Sequence, residues 1–295
     1  MKINRWLLGG FALSCILAIL IPRLNNRTAT DARPHSTVKN LPAAIPVATS
    51  VAAAVKEIRW WHPNVAISWQ WQLVEPIDFS VKADVYDIDY EKNSAETVKR
   101  LHEQGRKVIC YVNVGAAESY RLDSADFPAS VVGAVYDGYP DERWLDIRQI
   151  SELAPVLQKR FDICQDKGFD AIEPDNDNGF GNTTGFPLTG DDQIRFNTWF
   201  ADQAHLRGLA AVLKNDNEQA AQLAPHFDMA ITEDCFDQGW CAEMSVFTSA
   251  GKPVFAAEYT DTKITTKQFC PQAHALSINA ILKHRELDTF RAACD

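Results

Sequence analysis

From about residue 60 the chain alternates short β-prone runs with amphipathic stretches. The β-like runs are Val65–Trp69, Asp84–Ile88, Lys107–Asn113, Trp144–Ile147, Asp170–Pro174, Leu209–Lys214, Asp228–Thr232, Pro253–Glu258 and Leu276–Ile281. Helical patterns at Ser94–Gln104, Ser151–Lys167, Asp191–Arg207, Glu218–Leu223 and Ala242–Ala250 lie between many of them. Gly105, Gly168, Gly208 and Gly251 each follow a helical stretch and precede a strand, the usual place of a glycine that ends a helix. Strand, helix, glycine and strand in repetition define βαβ units and a parallel sheet. A doubly wound sheet and a barrel both fit that pattern. No G-x-G-x-x-G follows the first strand, which argues against the dinucleotide-binding form. Polar residues gather at the C-terminal ends of the runs: Asp87, Asp89, Asn113, Asp146, Asp175, Asn215, Glu233 and Glu258. A barrel builds its active site on that face, from several strands at once. The expected fold is α/β, a single (β/α)8 TIM-type barrel. Nine candidate strands compete for eight places, and Trp144–Ile147 is the weakest.

The first segment stands apart. Lys2 and Arg5 precede an apolar run from Trp6 to Pro22, so residues 1–23 read as a secretory signal peptide or a membrane anchor. Residues 24–57, rich in Asn, Thr, Ala and Pro, have the composition of a flexible linker. Residues 58–295 remain for the barrel, a length one such domain fills. The expected location is extracytoplasmic. Outside the signal segment lie Cys110, Cys164, Cys235, Cys241, Cys270 and Cys294, an even number that favours disulfides in an oxidising compartment. Tyr111 and Asn113 share one face of their strand and Cys110 takes the other. If the polar face lines the barrel mouth, Cys110 meets the helical layer, where Cys164 lies. Cys235–Cys241 would close a short loop beside Glu233, and Cys270–Cys294 would tie down the C-terminus.

The formal charge of −10 argues against a nucleic-acid partner, whose phosphates need a basic face. Loss of residues 1–30 would remove Lys2, Arg5, Arg23 and Arg27 and no acid, taking the charge to −14. Side chains alternate along a strand, so Ala171, Glu173 and Asp175 share one face, as do Ile231 and Glu233. If those faces point into the mouth, Asp175 and Glu233 project over one cavity. Two carboxylates across a glycosidic bond are the usual means of hydrolysing it: one protonates the leaving oxygen, the other acts as nucleophile or as base for water. An acid at a strand end can instead cap a helix or pair with a lysine, and it is the accumulation over several strands that favours a site.

The runs Asp87–Tyr90, Cys110–Glu118, Trp144–Arg148, Phe169–Asn176 and Ile231–Phe236 resemble, in order, glycoside hydrolase family 114, from about Trp60 to beyond Tyr259. That family comprises endo-α-1,4-polygalactosaminidases on a (β/α)8 barrel. The resemblance implies that Asp175 and Glu233 are the catalytic pair. It makes Asp87, Tyr111, Asn113, Asp146, Glu173, Asn176, Lys214 and Asn215 candidate sugar contacts, and an amino-sugar polysaccharide the partner. The acidic charge adds that a cationic, de-N-acetylated polymer should be preferred and that salt should weaken its binding. A barrel that binds glycan without cutting it, and a polysaccharide deacetylase, are the alternatives. A binding module has no need of both carboxylates. A metal-dependent deacetylase needs a His/Asp triad, and the seven histidines form no tight ligand motif. Asp175–Gly179 has the look of a calcium loop but lacks its further acidic ligands. Neither metal nor cofactor is expected.

Overall fold

The computed structural model describes residues 58–294; the expected signal or anchor segment and the linker lie outside them. Twelve strands and seven α-helices follow in chain order: β1 Trp69–Trp71, β2 Val85–Asp89, α1 Ala95–Glu103, β3 Lys107–Asn113, β4 Ala116–Glu118, β5 Val132–Tyr136, β6 Tyr139–Leu145, α2 Ile150–Asp166, β7 Ala171–Asp175, α3 Gly190–Leu206, β8 Ala210–Lys214, α4 Ala220–Leu223, β9 Met229–Glu233, α5 Cys235–Gln238, α6 Ser245–Ser249, β10 Val254–Tyr259, α7 Thr266–Leu276, β11 Asn279–Lys283 and β12 Ala292–Ala293.

Eight strands run parallel in the order β1-β2-β3-β7-β8-β9-β10-β11, and β12 adds antiparallel to β11. The sheet curls in the manner of a TIM barrel. Its two ends meet through side chains: Asn279 accepts from the Ile67 amide at 3.2 Å and donates to the Val65 carbonyl at 2.7 Å. Trp69 Nε1 donates to the Asn279 carbonyl at 2.9 Å. The alternation of strand residues then sorts the core. Trp69, Val85, Ile109, Ala171, Val212, Met229, Phe255 and Ile281 pack in the inner cluster. Tyr86, Cys110, Ile172, Leu213 and Ala256 belong to the larger outer cluster with α2 and α3 residues such as Phe161 and Phe200.

Local chemistry sets the helix ends. Ser94 caps α1 by accepting from the Thr97 amide, and Thr189 and Asp192 form a reciprocal capping box at the start of α3. Cys110 and Cys164 are bonded, tying β3 to α2, and Cys235–Cys241 and Cys270–Cys294 are the other two disulfides. Three such bonds suit an oxidising compartment.

Several expectations need correction. Trp144–Ile147 is not a strand of the main sheet: Trp144 and Leu145 end β6, in a separate antiparallel sheet of order β4-β6-β5. The first strand begins where the expected run ends, at Trp69, because residues Val65 and Ile67 are bonded to a side chain rather than to a ladder. The strand–helix alternation is not regular, since no helix stands between β1 and β2 among the described residues. The α7 helix was not apparent from apolar periodicity. Among the described residues no helix is long and apolar enough to cross a membrane.

Candidate active site

The C-terminal ends of β1, β3, β7, β8 and β9 open on a pocket of about 250 Å³ lined by Trp71, Tyr111, Asp175, Lys214 and Glu233. Beyond Glu233 it adjoins a second hollow, which shares Tyr136, Tyr139, Asn178, Asn215 and Arg285 with the first and adds Gln238 and Trp240. A further cavity of about 410 Å³ lies at the other end of the strands, between Ser68–Trp69 and Asn279–Ile281, and holds none of these carboxylates. Three strands carrying pocket residues end the same way: Asn176 (φ 63°), Asn215 (φ 54°) and Asp234 (φ 54°) are left-handed, directly after Asp175, Lys214 and Glu233. Non-glycine residues rarely adopt that conformation, and such turns cluster at functional sites. Gly115 makes room for one of them. A Cβ there would lie 1.8 Å from the Asn176 carbonyl oxygen.

One ammonium organises the acids. Lys214 Nζ lies 2.8 Å from Asp175 Oδ1, 3.2 Å from Glu233 Oε2 and 3.1 Å from Glu173 Oε1, and 4.6 Å from the centre of the Trp71 ring. The facing oxygens of Asp175 and Glu233 are therefore at most 6.0 Å apart, the sum of their two distances to Nζ. Burial alone would raise the Asp175 carboxyl, but Lys214 and the Tyr111 hydroxyl outweigh it and hold Asp175 below the usual carboxylate range. Burial opposes the charge on Lys214 too, and Asp175, Glu233 and Glu173 reverse that effect, keeping it cationic. Glu233 accepts a short hydrogen bond from the Tyr259 hydroxyl, and its amide donates to Asn215 Oδ1 at 2.9 Å. Arg285 stacks 3.9 Å over Tyr259 and is itself paired with Asp234 and Asp261.

The small sheet brings residues that the sequence reading did not single out. Tyr136 and Tyr139 flank a two-residue turn at Asp137–Gly138, and both line the pocket with Glu142 of β6. Tyr136 stacks on Trp144 at 4.6 Å, giving an aromatic wall of the kind on which a sugar ring packs. The Asp-Gly pair between β-prone residues is a hairpin signal that could have revealed them.

The expected site residues divide into three groups. Asp175, Glu233, Tyr111, Asn176, Lys214 and Asn215 all line the pocket. Asp87, Asn113 and Glu173 do not; each is fully buried. Asp87 and Glu173 lie beneath Asp175, where burial raises the carboxyl of each, and Asn113 reaches Glu142 Oε2 at 3.1 Å. Asp146 lies away from the pocket in a two-bond pairing with Arg148. Glu258, noted at a strand end, accepts from the amides of Phe236 and Asp237 and so holds the start of α5. Among the described residues Cys235, Cys241 and Glu258 form the one cluster of metal-ligand type, and its two thiols are joined in a disulfide.

A curled parallel sheet with paired carboxylates at the C-terminal ends of its strands is the equipment of a glycoside hydrolase. The chain belongs to glycoside-hydrolase family GH114, whose model matches residues 50–295. It is similar to Ega3 of Aspergillus fumigatus, solved in complex with galactosamine, with 33% identity, 80% of this chain and 98% of that chain covered, and a TM-score of 0.76. The glycoside hydrolase domain of PelA from Pseudomonas aeruginosa shares the fold, with 16% identity, coverage of 78% and 99%, and a TM-score of 0.62. No curated protein gave a significant match.

Proposed function

We propose that the protein is an endo-acting hydrolase of α-1,4-linked, galactosamine-containing polysaccharide, with residues 58–295 forming a (β/α)8 catalytic domain. The observation that carries this reading is the pair Asp175 and Glu233 held on one lysine ammonium, with facing oxygens at most 6.0 Å apart. As an upper bound it falls short of the roughly 6.5–9.5 Å of inverting enzymes and admits the roughly 5–5.5 Å of retaining ones. Asp175, kept ionised by Lys214 and Tyr111, is the nucleophile. Glu233, about a third exposed at the groove, is the acid and then the base. Glu233 protonates the glycosidic oxygen as Asp175 attacks the anomeric carbon; the freed chain end leaves. Glu233 then takes a proton from water, and the water oxygen displaces Asp175.

A groove that continues past Glu233 suits attack within a polymer. The galactosamine bound to Ega3 supports the amino-sugar substrate. Residues 1–23 would export the chain, either cleaved off or kept as an anchor. Incubation with α-1,4-linked galactosamine polymer, followed by sizing of the products, tests the proposal. Oligosaccharides are expected. Released acetate from an N-acetylated polymer without chain shortening would mean a deacetylase, and binding without either product a lectin-like barrel.

A further inference from the structure

Four carboxylates line the pocket: Asp175, Glu233, Glu142 and Glu286. The first two share the Lys214 ammonium, and Glu286 is exposed, where water solvates it. Glu142 is different. It is only partly exposed, and no cation pairs with it among the described residues. The contrast with its cross-strand neighbour is direct. Glu118, opposite Glu142 in the β4–β6 ladder, is buried but bound by Arg121 at 2.7 Å, and the same guanidinium also holds Asp89. Glu142 has only amides: Asn113 Nδ2 at 3.1 Å and Asn176 Nδ2 at 3.4 Å, both to Oε2. Asn113 is fixed for this task, because its Oδ1 accepts from the Ala116 amide at 2.9 Å and leaves its amino group for Glu142. Oε1 accepts no hydrogen bond among the described residues, so it is available to a ligand in the pocket.

We propose that Glu142 binds the free 2-amino group of a galactosamine unit in the pocket, and thereby selects de-N-acetylated over N-acetylated polymer. The inference rests on the hydrolase reading above and assigns the recognition of charge to a residue outside the catalytic pair. A half-buried carboxylate without a counter-ion is costly, and an ammonium entering the pocket supplies the missing partner. An acetamido group offers one neutral N–H in place of that charge. Burial, with repulsion from Asp175 and Glu118, pushes Glu142 up to about 7, and a cation against Oε1 opposes all three effects. The groups facing it are these two acids, the amides of Asn113 and Asn176, and Tyr120 and Tyr139, whose ionisation Glu142 also disfavours.

The test compares kcat/KM of the full chain for fully de-N-acetylated and fully N-acetylated α-1,4-galactosaminan at pH 7. In Glu142→Gln the ratio of the two should fall about 10-fold, the usual worth of a charge-assisted contact, and the loss should appear in KM. Glu142→Asp, which keeps the charge, should retain part of the preference. A Gln variant that keeps the wild-type ratio, or an Asp variant as indifferent as the Gln one, would overturn the role of Glu142 and leave the hydrolase reading standing. Equal kcat/KM for both polymers in the wild type would do the same. Failure of the wild type to cut either polymer would overturn both.

Discussion

The Tyr111 hydroxyl donates to Asp175 Oδ2 at 2.7 Å and leaves Oδ1 to Lys214. The two contacts counter the burial of Asp175 from different sides, and each favours the anion that a nucleophile requires. Tyr111→Phe removes one of them without opening a cavity. A hydrogen bond to a charged group is worth about 1.5–3 kcal/mol, so kcat/KM should fall roughly 10- to 100-fold. The acidic limb of the pH–rate profile should move to higher pH, because the Asp175 carboxyl then loses its proton less readily. An unshifted limb would mean that Tyr111 only packs.

Lys214 offers a stronger perturbation. It is 2% exposed and touches Glu173, Asp175 and Glu233. Lys214→Met would keep the bulk over Trp71 but leave these acids without their shared cation. Removal of one partner from a buried ionic group costs about 3–5 kcal/mol. A clear fall in Tm at pH 7 is expected, partly recovered at pH 5 as the stranded carboxyls take up protons. A Tm equal to wild type at both pH values would contradict the charge balance described above.

The buried Asp216 makes a pH prediction of opposite sense to Asp175. Burial pushes its carboxyl up to about 7, against the hydrogen bond from Asn197 Nδ2 at 3.0 Å. The native state thus keeps a proton that the unfolded chain has lost, and this group's contribution to stability falls as pH rises from about 4 to about 7. Asp216→Asn keeps the acceptor for Asn197 and removes the titration. The variant should gain on the order of 1–3 kcal/mol over wild type at pH 8 and little at pH 4. Denaturant unfolding at the two pH values measures the difference.

The face that carries the pocket was legible because strand alternation is strict. Asp175 and Glu173 fall on one face by period, as do Glu233 and Ile231. Period gives the face and not the depth. Two residues back along a strand is about 6.6 Å deeper, so Glu173 and Asp87 belong to the layer under the pocket rather than to its wall. Asp146 misled for another reason: Trp144–Ile147 has β-prone residues, but the long connection between β3 and β7 folds as its own small sheet. Tyr136, Tyr139 and Glu142 were missed with it, since nothing in local periodicity says that a connection returns over the pocket. The α7 helix was hidden by Pro271 in its interior, although Thr265 and Gln268 form a capping box at its start. Both cystine partners of β3 and α2 were readable, because Cys110 sits on the face opposite Tyr111 and Asn113.

That bond also makes a stability prediction. Cys110 and Cys164 are 54 residues apart and both fully buried. Joint replacement by alanine should cost about 2–5 kcal/mol and leave kcat near wild type at temperatures where the protein stays folded. Loss of activity well below the new Tm would show that the bond shapes the pocket and not only its support.

The paired carboxylates are the centre of the account, and Asp175→Asn and Glu233→Gln test them most directly. Each keeps the size of the side chain, and the amides can still face Tyr111, Asn215 and Tyr259. Initial rates on de-N-acetylated α-1,4-galactosaminan should fall by at least about 10³-fold in both, a loss of roughly 4 kcal/mol of transition-state stabilisation, with far-UV spectra unchanged. Near wild-type rates in either folded variant would contradict the assignment of that residue.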